Sequence, residues 1–185
     1  ANGQPVWSLV EPRLVNSAVL LVLAGVLGSV IGVALGATAA LLRDSWLDHL
    51  SSAVALAVTS LPEFVVAIGL IVVFSTVTWH VLPAVSLVPP GTHPWDTPSL
   101  LVLPVATLVI VIVPYIMRMM RASMVEALES DYVEMARLKG LSWPRVVLGH
   151  ALPNAIAPVI QVIGLNFLYL ACLLYTSPSP RDRQK

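Results

Sequence analysis

The sequence is poor in charge. Only 11% of its 185 residues are Asp, Glu, Lys or Arg, whereas soluble domains carry about 25%. So little charge indicates that much of the protein surface faces lipid rather than water. The formal net charge is zero, and the charge balance therefore gives no reason to expect a nucleic acid as a partner.

The sequence also has little that could build a metal site. Cys172 is its single cysteine, which excludes an internal disulfide and any site made of several cysteines. The histidines lie far apart, and no two of them have the i, i+4 spacing of a helical metal site. We therefore expect neither a metal nor another cofactor.

What the sequence does have is long apolar runs. An apolar helix of about 20 residues crosses the hydrocarbon core of a bilayer. The first run carries Gly28, Gly32 and Gly36 at four-residue steps, a stripe against which another helix can pack closely. The second contains Pro62, which a membrane helix tolerates if its neighbours satisfy the freed carbonyl. The predicted fold is an all-α polytopic membrane protein with four transmembrane helices, at about residues 14–42, 51–77, 98–117 and 151–174.

The positions of arginine and lysine predict the orientation. Short loops rich in these residues stay in the cytoplasm. The segment 118–150 carries five of them, whereas the segment 78–97 carries none. We therefore expect the segment 118–150 and the turn at Arg43 inside, and the segment 78–97 outside. Arg118 and Arg121 are expected to extend toward the inner lipid headgroups.

The segment 118–150 is predicted to be a helical hairpin rather than a simple connection. Helix-favouring residues continue past the third crossing, and Lys139 suits the negative end of a short helix. Gly140 follows as a left-handed C-cap. Ser142 can then begin a second helix with Pro144 in its first turn, which leads back into the membrane.

A motif in this hairpin resembles a known one. Glu134-Met135-Ala136, three residues, Gly140, nine residues and His150-Ala151-Leu152-Pro153 are similar to the EAA loop. That loop belongs to the membrane subunits of binding-protein-dependent ABC importers, here of the dipeptide and oligopeptide type. Met135 stands where that motif has its second Ala, and His150 where it has Ile; neither changes the spacing.

The resemblance implies a function and partners. The hairpin would form a coupling helix that binds an ABC ATPase subunit, and the chain would be a permease of a bacterial or archaeal inner membrane. The implied partners are ATPase subunits, a second permease subunit, an extracytoplasmic solute-binding protein, a peptide or similar substrate, and membrane lipid. The implied coupling residues are Asp131, Tyr132, Glu134, Ala136, Arg137, Lys139, Gly140, Leu152 and Pro153.

Residue types suit these roles. Ala136 is small enough for close approach, Gly140 permits a sharp bend, and Leu128, Tyr132 and Met135 fall at spacings that can form one apolar face. The sequence has no Gly-x-x-x-x-Gly-Lys-Ser/Thr loop, so we expect ATP to be hydrolysed elsewhere and no enzymatic activity in this chain.

Two other classes stay open. Glu63 is a carboxylate inside an apolar run, and such residues often act in transport, so an ion-coupled secondary transporter is one alternative. A membrane scaffold that transports nothing is the other. The residues of the substrate path are not indicated.

The number of crossings and the composition of the C-terminal residues lead to two further expectations. Importer subunits of this type have six crossings, so the four crossings, residues 1–174, are expected to be part of a longer permease. Residues 175–185 are polar and rich in proline, and we expect a non-native or disordered tail there.

Overall fold

This computed structural model describes residues 6–77 and 99–176, with side chains described for 14–74 and 99–173, and most of these residues are helical. Within these ranges there is no strand, which agrees with the all-α prediction. The helices in chain order are α1 (Val6–Leu41), α2 (Trp46–Thr59), α3 (Glu63–Ile71, continued by the π-helical segment Val72–Val77), α4 (Ser99–Leu128), α5 (Asp131–Leu138), α6 (Trp143–Val146, continued by the π-helical segment Val147–Ala151) and α7 (Leu152–Thr176).

Three segments of the described residues are long and apolar enough to cross a membrane. They are Leu14–Leu41, Ser99–Leu128 and Trp143–Leu173. Helices α2 and α3 qualify together as a fourth span only if the bent pair counts as one. The chain is thus a polytopic membrane protein with three spans, or four with the bent pair.

The prediction of one continuous helix over residues 51–77 is wrong. Helices α2 and α3 are bent by 101° relative to each other, and the break lies at Pro62. This proline has an extended ψ of 144° and precedes the first residue of α3. Proline lacks an N–H and disfavours helical geometry in the residue before it, so here it begins a new helix instead of lying inside a long one.

The other helix boundaries differ less from the predicted ones. Helix α4 continues beyond residue 117 to Leu128, so the first third of the predicted loop is the end of a long helix. Helix α7 begins at Leu152, one residue after the predicted start of the 151–174 helix, and ends at Thr176. The predicted outer segment 78–97 and residues 177–185 of the predicted tail lie outside the described residues.

Helix α1 packs along α4 through its glycine stripe, as predicted. A Cβ atom added at Gly36 would lie 2.5 Å from the carbonyl oxygen of Met117 in α4. Added at Gly32, it would lie 2.8 Å from Cβ of Ile116. The two backbones therefore approach more closely than any other residue allows.

One apolar core joins α1, α4 and α7 to the hairpin. Buried Met120 and Met124 of α4 pack with residues of the hairpin and of α7, in the adaptable role expected for methionine. The buried members of this core are Ala40, Ile116, Met120, Met124, Ala127, Val133, Ala136, Val146, Val147, Ala151, Ala155 and Val159.

Candidate functional site

Because residues 118–128 belong to α4, the hairpin comprises residues 129–151. It begins with a sharp change of direction after α4. Ser130 is extended, with φ −79° and ψ 150°, and precedes α5. Its carbonyl accepts hydrogen bonds from the N–H groups of Val133 and Glu134, at 3.0 and 3.2 Å. Acidic Asp131 lies in the first turn and basic Arg137 in the last, as the helix dipole favours.

Gly140 ends α5 as predicted. Its φ is +78°, the left-handed region that favours glycine. Its N–H donates to the carbonyl of Arg137 at 2.9 Å, and the N–H of Leu141 donates to the carbonyl of Ala136 at 3.4 Å. These two bonds are the 5→2 and 6→1 pair of a Schellman motif, which fixes the turn between α5 and α6.

Helix α6 starts at the predicted residue. Ser142 is its N-cap and Pro144 lies in its first turn, but the Ser142 side chain makes no capping hydrogen bond. Its backbone carbonyl accepts from Arg145 and Val146 instead. The following π-helical segment ends at Ala151, and α7 begins at Leu152. Because Pro153 has no N–H to donate, the regular hydrogen-bond ladder is interrupted there.

The inner face of the hairpin is buried against the membrane helices. Three hairpin side chains are almost completely buried: Val133 and Ala136 of α5 and Val146 of α6. They pack in the same core as Met124. The hairpin is therefore attached to α4 and α7 by side-chain packing as well as by chain continuity, so a force on it reaches both helices.

The outer face is apolar and exposed. Tyr132 is 41% exposed, Met135 54%, Leu138 74% and Trp143 45%. Large apolar side chains exposed together on one short hairpin, next to charged residues, are typical of a protein interaction surface. Trp143 was not among the predicted coupling residues. Its position one turn after the Gly140 bend is the feature of the sequence that could have indicated it.

Arg137 connects the two arms. Its guanidinium lies over the Trp143 ring, 5.1 Å from the ring centroid, within range of a cation–π contact. Arg137 also lines a groove of about 460 Å³ beside Glu134, together with the end of α4. The groove presents a carboxylate and a guanidinium side by side, a polar edge next to the apolar outer face.

The predicted coupling residues do not all lie on this surface. Asp131, Tyr132, Glu134, Arg137, Lys139 and Gly140 are exposed on the hairpin, and Pro153 is exposed on α7. Ala136 is 6% exposed and faces the core, so its small side chain permits packing within this chain. Leu152 is half-buried against the same core.

Arg121 does not extend toward lipid headgroups as expected. Its Nε lies 2.5 Å from Oδ1 of Asp48, and its Nη2 lies 2.6 Å from Oδ2. Asp48 belongs to α2 and is 2% exposed. A two-bond contact of this kind between guanidinium and carboxylate fixes geometry as well as charge, and the sequence reasoning missed it.

A second ion pair lies at the same end of the bundle. Arg43, in the turn between α1 and α2, pairs with Glu129, the residue that precedes Ser130. The hydrogen bond from Arg43 to Glu129 raises the pKa of Arg43 further above its usual value. The turn at Arg43 and the hairpin therefore share one end of the bundle, as the charge pattern predicted.

Glu63 has a partner on another helix. Oε2 of Glu63 accepts a hydrogen bond from the Tyr169 hydroxyl of α7 at 3.2 Å. This contact joins the start of α3 to α7. Within the described ranges, no three His, Cys, Asp or Glu side chains are grouped to hold a metal ion.

Comparison with known proteins gives matches over most of the chain. Residues 32–174 match the family described as "binding-protein-dependent transport system inner membrane component". A Brucella abortus protein named as a peptide transport system permease is 36% identical over 169 residues, 91% of this chain and 53% of that protein. The dipeptide transport system permease protein DppB of Bacillus subtilis is 38% identical over 139 residues, 75% of this chain and 42% of that protein.

A third relative has a different named substrate. The glutathione transport system permease protein GsiC of Shigella flexneri is 36% identical over 170 residues, 91% of this chain and 52% of that protein. The chain thus spans about half the length of the curated relatives it matches.

Proposed function

The chain belongs to the family of binding-protein-dependent transport system inner membrane components, and from that premise we propose that it is a permease subunit of an ATP-driven importer. It is a multi-pass protein of the inner membrane. In this proposal it passes peptides or similar small solutes inward. The relatives support the substrate class, because three of them are named for transport of peptide, dipeptide or glutathione.

The observation that carries the proposal is the two-sided hairpin. Its inner face is packed into the core of α4 and α7, while Tyr132, Met135, Leu138 and Trp143 are exposed on its outer face. A surface of this kind suits a regulated interface with a separate ATPase subunit. Motion of that subunit would reach the membrane helices through the packed side.

The further partners follow from the family. The proposal includes a second permease subunit and an extracytoplasmic binding protein that delivers the solute. ATP hydrolysis is assigned to the ATPase subunits, and no enzymatic step is assigned to this chain. Asp131, Glu134, Arg137 and Lys139 are assigned to polar contacts with the ATPase, and Gly140 to the shape of the hairpin.

An ion-coupled mechanism through Glu63 is the rival that the structure allows to be tested. The carboxylate is already bonded to Tyr169 across two helices, which suits a packing role. Uptake of a labelled dipeptide into vesicles containing the assembled transporter separates the two. We expect uptake to need ATP and to survive an ionophore that removes the proton gradient. Uptake that needs only the gradient would contradict the proposal, and no uptake with either would favour a scaffold.

A charge reversal tests the hairpin. Glu134→Lys places a like charge beside Arg137 in the groove, and we expect it to leave membrane insertion intact while reducing ATP-driven uptake about tenfold or more. Glu126→Lys is the comparison for the groove itself, because Glu126 is also an exposed acid but lies on α4 in a separate groove beside Tyr132. Normal uptake in Glu134→Lys would remove the hairpin from the mechanism, and equal loss in both variants would mean that the groove beside Arg137 is not the specific contact.

A further inference from the structure

The turn between α1 and α2 is built around Asp48. This side chain is buried and receives two hydrogen bonds from Arg121 of α4. The backbone N–H of Asp44 donates to Oδ2 of Asp48 at 3.1 Å, and Ser45 caps α2 through the N–H of Asp48. Asp44 itself has a φ of +63°. The turn is thus a defined structure whose centre is one carboxylate.

The two ion pairs attach this turn to the helix that carries the hairpin. Asp48 pairs with Arg121 inside α4, and Arg43 pairs with Glu129 just after α4 ends. The two points on α4 are eight residues apart, which is about 12 Å along a helix. The pair between Arg43 and Glu129 is exposed, so the buried pair between Asp48 and Arg121 is the stronger of the two attachments. Glu129 directly precedes Ser130, where α5 begins.

Apolar packing between α2 and α4 is sparse by comparison. The buried cluster that joins them contains only Ala39, Ala55 and Met117. Between α1, α2 and α4 there is an open apolar groove of about 280 Å³. The two-bond contact between Asp48 and Arg121 is therefore the directional link between α2 and α4, because it fixes geometry as well as charge.

Helix α2 continues into the bent pair at Pro62. A movement of α2 would therefore also move the α2–α3 pair, which is the broken candidate span among the described residues. From these contacts we propose that Asp48 and Arg121 are positioning residues that transmit movement of the hairpin to α2 and to the α2–α3 bend. This inference rests on the proposed function, since it assumes that the ATPase moves the hairpin.

Conservative variants test the link in the assembled transporter. Asp48→Asn keeps the size of the side chain but removes its charge. Arg121→Lys keeps the charge but removes the fork that makes two bonds. Arg118→Lys is the matched control, because Arg118 lies one turn away on α4 and is exposed. We expect both Asp48→Asn and Arg121→Lys to retain bound ATPase and basal hydrolysis, and to lose ATP-driven uptake about tenfold.

A distance measurement distinguishes transmission from stability alone. Spin labels on His49→Cys in α2 and Arg145→Cys in α6, with Cys172→Ser, report the separation of the two elements with and without ATP. We expect one narrow distance in both states when Asp48 is intact, because α2 moves with the hairpin. With Asp48→Asn, we expect the distance to change when ATP binds.

The outcomes separate this inference from the proposed function. Normal uptake in Asp48→Asn and Arg121→Lys would overturn the inference and leave the proposed function standing. Lost uptake with unchanged distances, or loss of the bound ATPase, would also overturn it, because the pair would then be purely structural. If the unsubstituted protein binds no ATPase, the proposed function itself fails.

Discussion

At the scale of single residues, the hairpin depends most on Gly140. Its φ of +78° costs a residue with a side chain about 1–2 kcal/mol, although no atom would clash with an added Cβ. Gly149 also has open space around it, but its φ is not positive. We expect Gly140→Ala to lower the unfolding temperature of the detergent-purified protein, and Gly149→Ala to leave it equal or slightly higher.

Equal unfolding temperatures for Gly140→Ala and Gly149→Ala would mean that the left-handed turn at Gly140 is not required. Loss of ATP-driven uptake in Gly140→Ala alone would connect the turn to coupling.

Single residues also show where sequence reasoning succeeds and where it fails. The Gly140 cap was predictable because its hydrogen bonds lie within five residues. The pair between Asp48 and Arg121 was not, because its partners are 73 residues apart and general rules send an arginine at a helix end toward lipid headgroups. Asp48 lies outside the predicted helix 51–77 and in the first turn of α2, where an acid is common, so nothing in the sequence indicated that it has a distant partner.

At the scale of helices, the α1–α4 contact makes a graded prediction. A methyl group at Gly36 would meet backbone atoms of α4, the Met117 oxygen at 2.5 Å and the Arg121 nitrogen at 3.1 Å. At Gly28 it would meet the end of the Ile112 side chain, which can rotate. We expect Gly36→Ala to destabilise the protein by about 1–3 kcal/mol and Gly28→Ala by less.

Gly164 of α7 serves as the reference for this series, because nothing lies within 4 Å of an added Cβ there. Unfolding in increasing denaturing detergent measures all three variants. If Gly36→Ala is no less stable than Gly164→Ala, the close approach of α1 to α4 is wrong.

The bend between α2 and α3 can be tested in a similar way. Pro62→Ala restores an N–H and relaxes Leu61, so a straighter α2–α3 becomes accessible. Labels at His49 and Gly69 would lie about 30 Å apart in one straight helix. We expect the variant to populate a longer distance than the unsubstituted chain. No change would show that packing against α4 and the bond from Tyr169 to Glu63 hold the bend without the proline.

The helices also show what the apolar runs do not predict. The lengths of the uncharged runs located the membrane helices, because apolar runs between charges are a property of the sequence alone. It did not find the break at Pro62, because membrane helices contain both tolerated and disruptive prolines. Pro104 and Pro114 lie inside the continuous α4, so the same residue type has opposite outcomes in one chain.

At the scale of the whole molecule, the hairpin and the membrane helices form one packed body. The core that begins at Ala40 of α1 continues through α4 to Val133 of α5. The charge pattern predicted that the turn at Arg43 and the hairpin share one end, and their ion pairs confirm this. The glycine stripe predicted that another helix packs closely on α1, but the identity of that helix as α4 was not predictable, because it depends on contacts between distant residues.

The central claim is that the outer face of the hairpin contacts a separate ATPase subunit. The most direct test is a photoactivatable cross-linker on Met135→Cys in a Cys172→Ser background, in the purified assembled transporter. Leu168→Cys on α7 is the control, because residue 168 is similarly exposed, at 63% against 54%, but lies in a membrane helix. We predict that position 135 captures the ATPase with a yield that changes when ATP binds, and that position 168 does not. Copurification of the ATPase without capture from position 135, or equal capture from both positions, would contradict the claim.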